Sequence, residues 1–192
     1  MRRKIIALAV LGVVIGGAAF SAKGAEPSAA PAGFRAEFTA EVDSVGKKLV
    51  DLANAMPEAK YGWRPAPGIR SVSEVYVHVA GGNYLLPSFM GVKVPEGISR
   101  DMEKTVTEKA KVIETLKKSL EHVKSVAANV SDPDLDKKVK FFGREMTERA
   151  LMTVMLNHMH EHLGQSIAYA RMNGVAPPWS EGEAPPKPAA KS

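Results

Sequence analysis

The sequence predicts an all-α protein, a four-helix bundle, and two observations carry that prediction. Four segments repeat apolar residues at alternating spacings of four and three, which is the pattern of one buried helix face. No segment predicts a sheet, because residues 137–144 (KKVKFFGR) alternate only briefly and are too few to build one. Four amphipathic helices of this kind bury their apolar faces against one another as a bundle.

The first two helices are predicted over residues 35–55 and from residue 71 onward. Apolar residues share one face of the first helix, and the proline that follows ends it. The second helix opens with SVSE, which has the form of a capping box. Gly81 and Gly82 weaken this helix, so we expect close packing or a local irregularity there, and Pro87 bends or ends it.

The third and fourth helices are the longest. The third is predicted to run unbroken over residues 101–130. The fourth is predicted over residues 147–173, with Thr147 as its N-cap and Gly174 as the residue that turns left-handed past its end. One face of the fourth helix should point into the core, and it carries Leu151, Met155, His158, His162, Gln165, Tyr169 and Met172.

Both ends of the chain differ from this helical region in composition. Residues 1–24 have the order of a signal peptide, because basic residues precede an apolar run that is short for a membrane span and small residues follow. We expect cleavage and a periplasmic or secreted protein, with an uncleaved N-terminal anchor as the alternative. The bundle should span residues 34–179, and the Pro-rich residues 180–192 should form a disordered tail.

Loss of the leader changes the argument from charge. The whole chain has 26 Lys and Arg against 21 Asp and Glu, but Arg2, Arg3, Lys4 and Lys23 belong to the leader, which leaves 22 against 21. A nucleic-acid partner therefore loses its main support. The chain also has no cysteine, so any transition metal must be held by histidines and carboxylates.

Three histidines fall on the predicted inward faces. His158 and His162 lie one turn apart on the last helix, and His78 lies midway along the second. A buried imidazole needs a hydrogen bond or a metal, and bundles build metal sites from ligands on facing helices. Three imidazoles suit Zn, Ni, Fe or Cu and leave coordination positions open, as a catalytic site requires. The alternative is three ordinary, hydrogen-bonded core histidines.

Other polar residues were weighed beside this trio. The sequence HMHEH is not the zincin motif, because methionine follows its first histidine where zincins have glutamate, and this disfavours a metalloprotease. Glu74 lies one turn before His78 and is the one catalytic candidate, as a general base or an acceptor for a ligand, in competition with its capping role. His122 and His160 lie off the inward faces, so we expect both to be exposed.

Two stretches resemble a known family. YGWRPAPGIRSVSEVYVHVAGGNY and, much later, HMHEHLGQSIAYARMNGVAPPW are similar to the DinB/YfiT-like family of the DinB superfamily. The resemblance extends over nearly all of residues 34–179. It implies a four-helix bundle in which one histidine of the second helix and an H-x-x-x-H pair of the last helix bind a divalent metal. The matching positions are His78, His158 and His162.

The chain departs from the family at one point. The family often has H-H-R-G-Q around the last ligand, whereas this chain has EHLGQ, with Leu163 in place of the arginine. An anionic substrate group that the arginine would handle is therefore in doubt. The Gly164-Gln165 pair and the two prolines after the helix do match the family.

Together these observations predict an exported metalloprotein of DinB-like type. It would bind one divalent ion, Zn, Ni, Fe or Mn, through His78, His158 and His162 and act as a metal-dependent hydrolase or transferase on a small molecule. The alternative is a non-catalytic binding or scaffold bundle. A thiol-cofactor-dependent transferase is disfavoured by export, because small thiols are chiefly cytosolic. We expect no nucleic-acid partner and membrane contact only through the leader during export, and a homodimer stays open.

Overall fold

The computed structural model of the chain describes residues 33–180, which all lie in the unit Pro31–Ser192. The expected signal peptide and all but the first residue of the expected tail lie outside the described residues. Within residues 33–180, no helix has both the length and the apolar character that crossing a membrane demands.

The described chain is mostly helical, as predicted, but its elements differ in number. It contains five α-helices and one β-hairpin, where the sequence predicted four helices and no sheet. Short 3-10 turns at Glu58–Lys60, Leu86–Met90 and Pro133–Asp136 complete these elements. The helices are α1 (Phe34–Ala55), α2 (Val72–Leu85), α3 (Met102–Thr105), α4 (Lys109–Asn129) and α5 (Glu148–Met172), and the strands are β1 (Lys138–Phe141) and β2 (Arg144–Thr147).

The four long helices pack around one apolar core. Helices α4 and α5 each contact both α1 and α2. Helix α2 is buried over most of its length, since ten of its fourteen residues are buried. The predicted capping box at its start is confirmed, because the Ser71 hydroxyl accepts a hydrogen bond from the Glu74 backbone and the Glu74 carboxylate accepts one from the Ser71 backbone. Its histidine is therefore carried on a well-anchored helix.

The predicted unbroken helix over residues 101–130 is wrong. Helix α3 ends at Thr105, Val106 takes a non-helical conformation with φ −98° and ψ 88°, and α4 starts only at Lys109. The break falls at two adjacent β-branched residues, Val106 and Thr107, whose restricted side chains disfavour helix. Because of the break, α3 packs against α2 as a separate turn.

The prediction of no sheet is also wrong. Strands β1 and β2 form an antiparallel hairpin in which Phe141 pairs with Arg144. The two residues between them, Phe142 and Gly143, have φ of 46° and 82°, the positive values that a tight type I′ hairpin connection needs. The alternating segment of the sequence is therefore a real strand, and its partner is the residues just before α5.

Helix α5 confirms the predicted caps but shifts the buried face. Thr147 accepts a hydrogen bond from the Ala150 backbone at 3.1 Å, and Gly174 has φ 74°. Met172 was expected to point inward but is 60% exposed. A helix turns once per 3.6 residues, so a face drawn at spacings of four and three drifts out of the core over this length. The deepest face instead contains Leu151, Met155, Met159, Leu163, Ser166 and Ala170.

Candidate metal centre

The structure brings the three predicted histidines together between α2 and α5. One nitrogen from each of His78, His158 and His162 lies within 4.8 Å of the corresponding nitrogens of the other two. Nε2 of His78 lies 3.2 Å from Nε2 of His158. All three side chains are half-buried. His158 and His162 lie on the flank of the α5 core face, and His78 and His158 border a neighbouring cavity.

An acceptor outside the trio fixes the ring of His78. Its Nδ1 donates to Oε1 of Glu103 at 2.7 Å, and the same carboxylate accepts from Arg70 Nε at 2.7 Å. Because Nδ1 carries the proton, the lone pair of His78 is on Nε2, which faces the other histidines. Burial alone would raise the pKa of Glu103, but its hydrogen bonds from Arg70 and His78 hold that pKa below its ordinary value.

A longer chain of hydrogen bonds fixes the ring of His162. Its Nδ1 donates to Oε1 of Gln165 at 2.8 Å, and the amide nitrogen of Gln165 donates to the Tyr169 hydroxyl at 3.0 Å. The hydroxyl in turn donates to the backbone carbonyl of Arg70 at 3.1 Å. Through these contacts Gln165 orients the imidazole of His162. His162 likewise keeps its Nε2 lone pair free.

His158 is held by shape instead of by an outer acceptor. Its Nδ1 is buried and has no hydrogen-bond partner among residues 33–180. The ring lies directly against the backbone of Gly82, where an added Cβ would stand 2.4 Å from Cε1 and 2.8 Å from Nδ1. An added Cβ at the adjacent Gly81 would meet nothing within 4 Å. The close packing expected at this glycine pair therefore occurs at Gly82 and not at Gly81.

Burial favours the neutral imidazole at His158 and His78. Burial, together with the neighbouring His162 and His78, lowers the pKa of His158 to about 4. Burial also lowers the pKa of His78, which the hydrogen bond to Glu103 only partly offsets. Neutral imidazole is the form that binds metal. Three convergent nitrogen donors, two of them oriented by outer acceptors, fit the requirements of a divalent transition-metal ion.

The contacts of Glu74 favour its capping role. Its Oε2 accepts from the Ser71 backbone at 2.7 Å and lies 3.1 Å from Arg64, while its Oε1 accepts from Lys104 at 2.8 Å. Burial would raise the pKa of Glu74, but the contacts with Lys104, Ser71 and Arg64 outweigh it and lower the pKa to about 2. A carboxylate held in this way is a poor proton acceptor at neutral pH.

A cavity of about 780 Å³ opens onto His78 and His158. Most of its wall is apolar. Two charged side chains at this cavity, Arg100 and Glu161, make no ion pair with another described residue. Glu161 is therefore a carboxylate beside the histidines that pairs with no cation among residues 33–180, and no role was predicted for it from the sequence. Its signal was its position, three residues after His158 on the same helix.

The two remaining histidines behave differently from each other. His160 is exposed, as predicted. The expectation that His122 is exposed is wrong, because it is half-buried against the ring of Tyr84, with 5.1 Å between ring centroids. Burial lowers the pKa of His122. It lines a separate cavity of about 310 Å³ and takes no part in the trio.

Comparison with known proteins gives a consistent result. A family model described as the DinB family matches residues 30–190. The uncharacterized protein YjoA of Bacillus subtilis (strain 168) is 23% identical over 127 residues, which cover 65% of this chain and 80% of that protein. The crystal structure of a DinB-like protein from Bacillus cereus matches with a TM-score of 0.61 and 21% identity, over 76% of this chain and 93% of the other. The crystal structure of YjoA matches with a TM-score of 0.59 and 21% identity, over 73% and 93%. At these identities the solved structures support the fold alone.

Proposed function

Because the chain belongs to the DinB family, we propose that it is an exported metalloprotein whose His78, His158 and His162 bind one divalent ion. The ion is Zn, Ni, Fe or Mn, and with it the protein acts on a small molecule as a metal-dependent hydrolase or transferase. The observation that carries this proposal is the convergence of the three imidazoles within 4.8 Å. A divalent ion held by three imidazoles keeps open positions and supplies Lewis acidity to a bound substrate.

The surrounding residues have definite roles in this function. Glu103 and Gln165 hold the rings of His78 and His162 with Nε2 turned inward. The apolar cavity excludes water from part of the site and accommodates the substrate beside the trio. Glu161 is the residue that would accept or donate a proton, because its carboxylate lines this cavity and is not engaged in an ion pair with a described residue.

A non-catalytic metal-binding bundle is the competing function. It is favoured by the pairing of Glu74 with Arg64 and Lys104, and of Glu103 with Arg70, which ties up two of the acids near the trio. Glu161 separates the two functions. An enzyme loses turnover when Glu161 becomes glutamine but keeps its metal, whereas a scaffold has no turnover to lose.

Metal analysis tests the proposal directly. The protein purified from its own host envelope should carry close to one divalent ion per chain. Changing any one of His78, His158 and His162 to alanine should remove most of that metal, since two imidazoles hold a divalent ion poorly. His160→Ala is the matched control, because His160 is on the same helix but exposed. Equal metal content in all four variants would refute the assignment of ligands.

A further inference from the structure

The tip of the hairpin carries an exposed aromatic residue in a strained backbone conformation. Phe142 is the one non-glycine residue of the described chain with a positive φ, 46°, a conformation that strains a bulky side chain. Its ring is also 69% exposed, so it gains little from burial. A glycine at this position would relieve the backbone strain and expose no apolar ring. An aromatic side chain that stays exposed in a strained conformation points to a role in binding.

The ring of Phe142 belongs to an aromatic cluster at the edge of the cavity. Its centroid lies 4.7 Å from that of Phe141 and 5.2 Å from that of Phe89, and these two rings are 5.1 Å apart. These separations are typical of favourable aromatic pairs. Phe141 and Phe142 both line the cavity that opens onto His78 and His158. The strained turn therefore places an exposed ring on the wall nearest solvent.

The cavity has the size and lining of a small-molecule site. Its volume of about 780 Å³ falls within the range of roughly 300–1,000 Å³ that such sites occupy. The cavity is also lined by Val77 and Leu85 of α2 and by Ile98. Leu85 is 39% exposed, so it too presents apolar surface that the fold leaves uncovered. An occupant with a flat apolar body would cover both uncovered surfaces at once.

We propose that Phe142 is a substrate-contacting, specificity-determining residue and that this cavity takes a small molecule with an aromatic body. The body stacks on Phe142 and contacts Leu85, and its polar end reaches the histidine trio. The inference rests on the proposed function only in what it says of that polar end. The aromatic preference stands on the cavity alone.

Binding of the neutral aromatic dye N-phenyl-1-naphthylamine, followed by its fluorescence, tests the inference on the full mature chain. Phe142→Gly should raise the dye's dissociation constant about five- to tenfold, because one aromatic contact is lost. The thermal midpoint of this variant should stay close to that of the wild type, because glycine accepts the positive φ and this gain offsets the lost contacts with Phe141 and Phe89. Leu85→Gln is the second variant and should also weaken dye binding, because Leu85 lines the same cavity. Met172→Ala is the control, because Met172 is 60% exposed and lies outside the cavity.

The outcomes separate this inference from the metal proposal. The inference is overturned if Phe142→Gly and Leu85→Gln bind the dye as tightly as the wild type does. It is also overturned if the wild type binds no dye. Metal content is measured on the same samples and should be unchanged in both variants. A chain that holds no metal but binds the dye through Phe142 would refute the metal site and support the aromatic cavity.

Discussion

Adding one methyl group at Gly82 should disable the metal site without touching a ligand. In Gly82→Ala the new Cβ would stand 2.4 Å from Cε1 of His158, 2.8 Å from Nδ1 and 3.2 Å from Nε2. Non-bonded carbon atoms rest about 3.5–4.0 Å apart, so the imidazole must move by about 1 Å or more. Metal sites tolerate errors of only about 0.2 Å in ligand distance. His158 would therefore leave the coordinating position.

The expected loss of affinity is large. Changing a residue that merely orients a ligand costs about 10–100-fold in metal affinity, and displacing a ligand should cost at least that much. A competition titration against a chromophoric chelator measures this loss with zinc. We expect Gly82→Ala to bind zinc at least 100-fold more weakly than the wild type, with its helical circular dichroism unchanged.

Gly81→Ala is the matched control for this experiment. It adds the same methyl group to the same helix one residue away, where nothing lies within 4 Å. Replacing a mid-helix glycine with alanine stabilises a helix by about 0.5–1 kcal/mol, which raises the melting temperature by about 1–4 °C. Its zinc affinity should match the wild type. Wild-type affinity in Gly82→Ala would refute the reasoning, because His158 could then bind from another position or is not a ligand.

Three further predictions concern the surroundings of the site and the ends of the chain. Glu103→Gln keeps an acceptor for His78 but loses the charge, so zinc affinity should fall about tenfold in the same titration, and unchanged affinity would argue against this outer contact. Because the pKa of Glu74 is lowered to about 2, the ionised carboxylate stabilises the fold fully above pH 4.5, and this stabilisation is lost as pH falls towards 2. Urea unfolding should therefore show Glu74→Gln less stable than the wild type by about 2–3 kcal/mol at pH 7, with a smaller gap at pH 3; a constant gap would contradict the ion-pair account. Mass spectrometry of the intact protein from its host should show that residues 1–24 are absent. Retention of Arg2 in an envelope fraction would favour an N-terminal anchor.

The parts of the structure that the sequence could predict are those with local causes. Helix α5 begins after Thr147, which caps its N-terminus, and ends before Gly174, which takes the positive φ that terminates a helix. The histidines at 158 and 162 face one way because they are one turn apart on that helix. His78 could be predicted as the third member of the trio because it lies on the inward face of a helix that packs beside the last one.

The parts that could not be predicted depend on contacts between distant segments. Glu103 lies 25 residues from His78, and their contact exists only because α3 breaks from α4 and docks on α2. The hairpin was missed because its turn uses Phe142 at a position where glycine or asparagine is the usual signal. The burial of His122 depends on Tyr84 of another helix, so its own surroundings in the sequence, Glu121 and Lys124, gave the wrong expectation.

X-ray absorption at the zinc edge tests the central claim most directly. In the zinc-loaded wild type we expect three imidazole nitrogens at about 2.0–2.1 Å and one further light atom. His160→Ala should give the same spectrum, and His78→Ala should show fewer imidazole ligands. A first shell made of oxygen atoms, or a spectrum that His78→Ala leaves unchanged, would contradict a metal centre built by His78, His158 and His162.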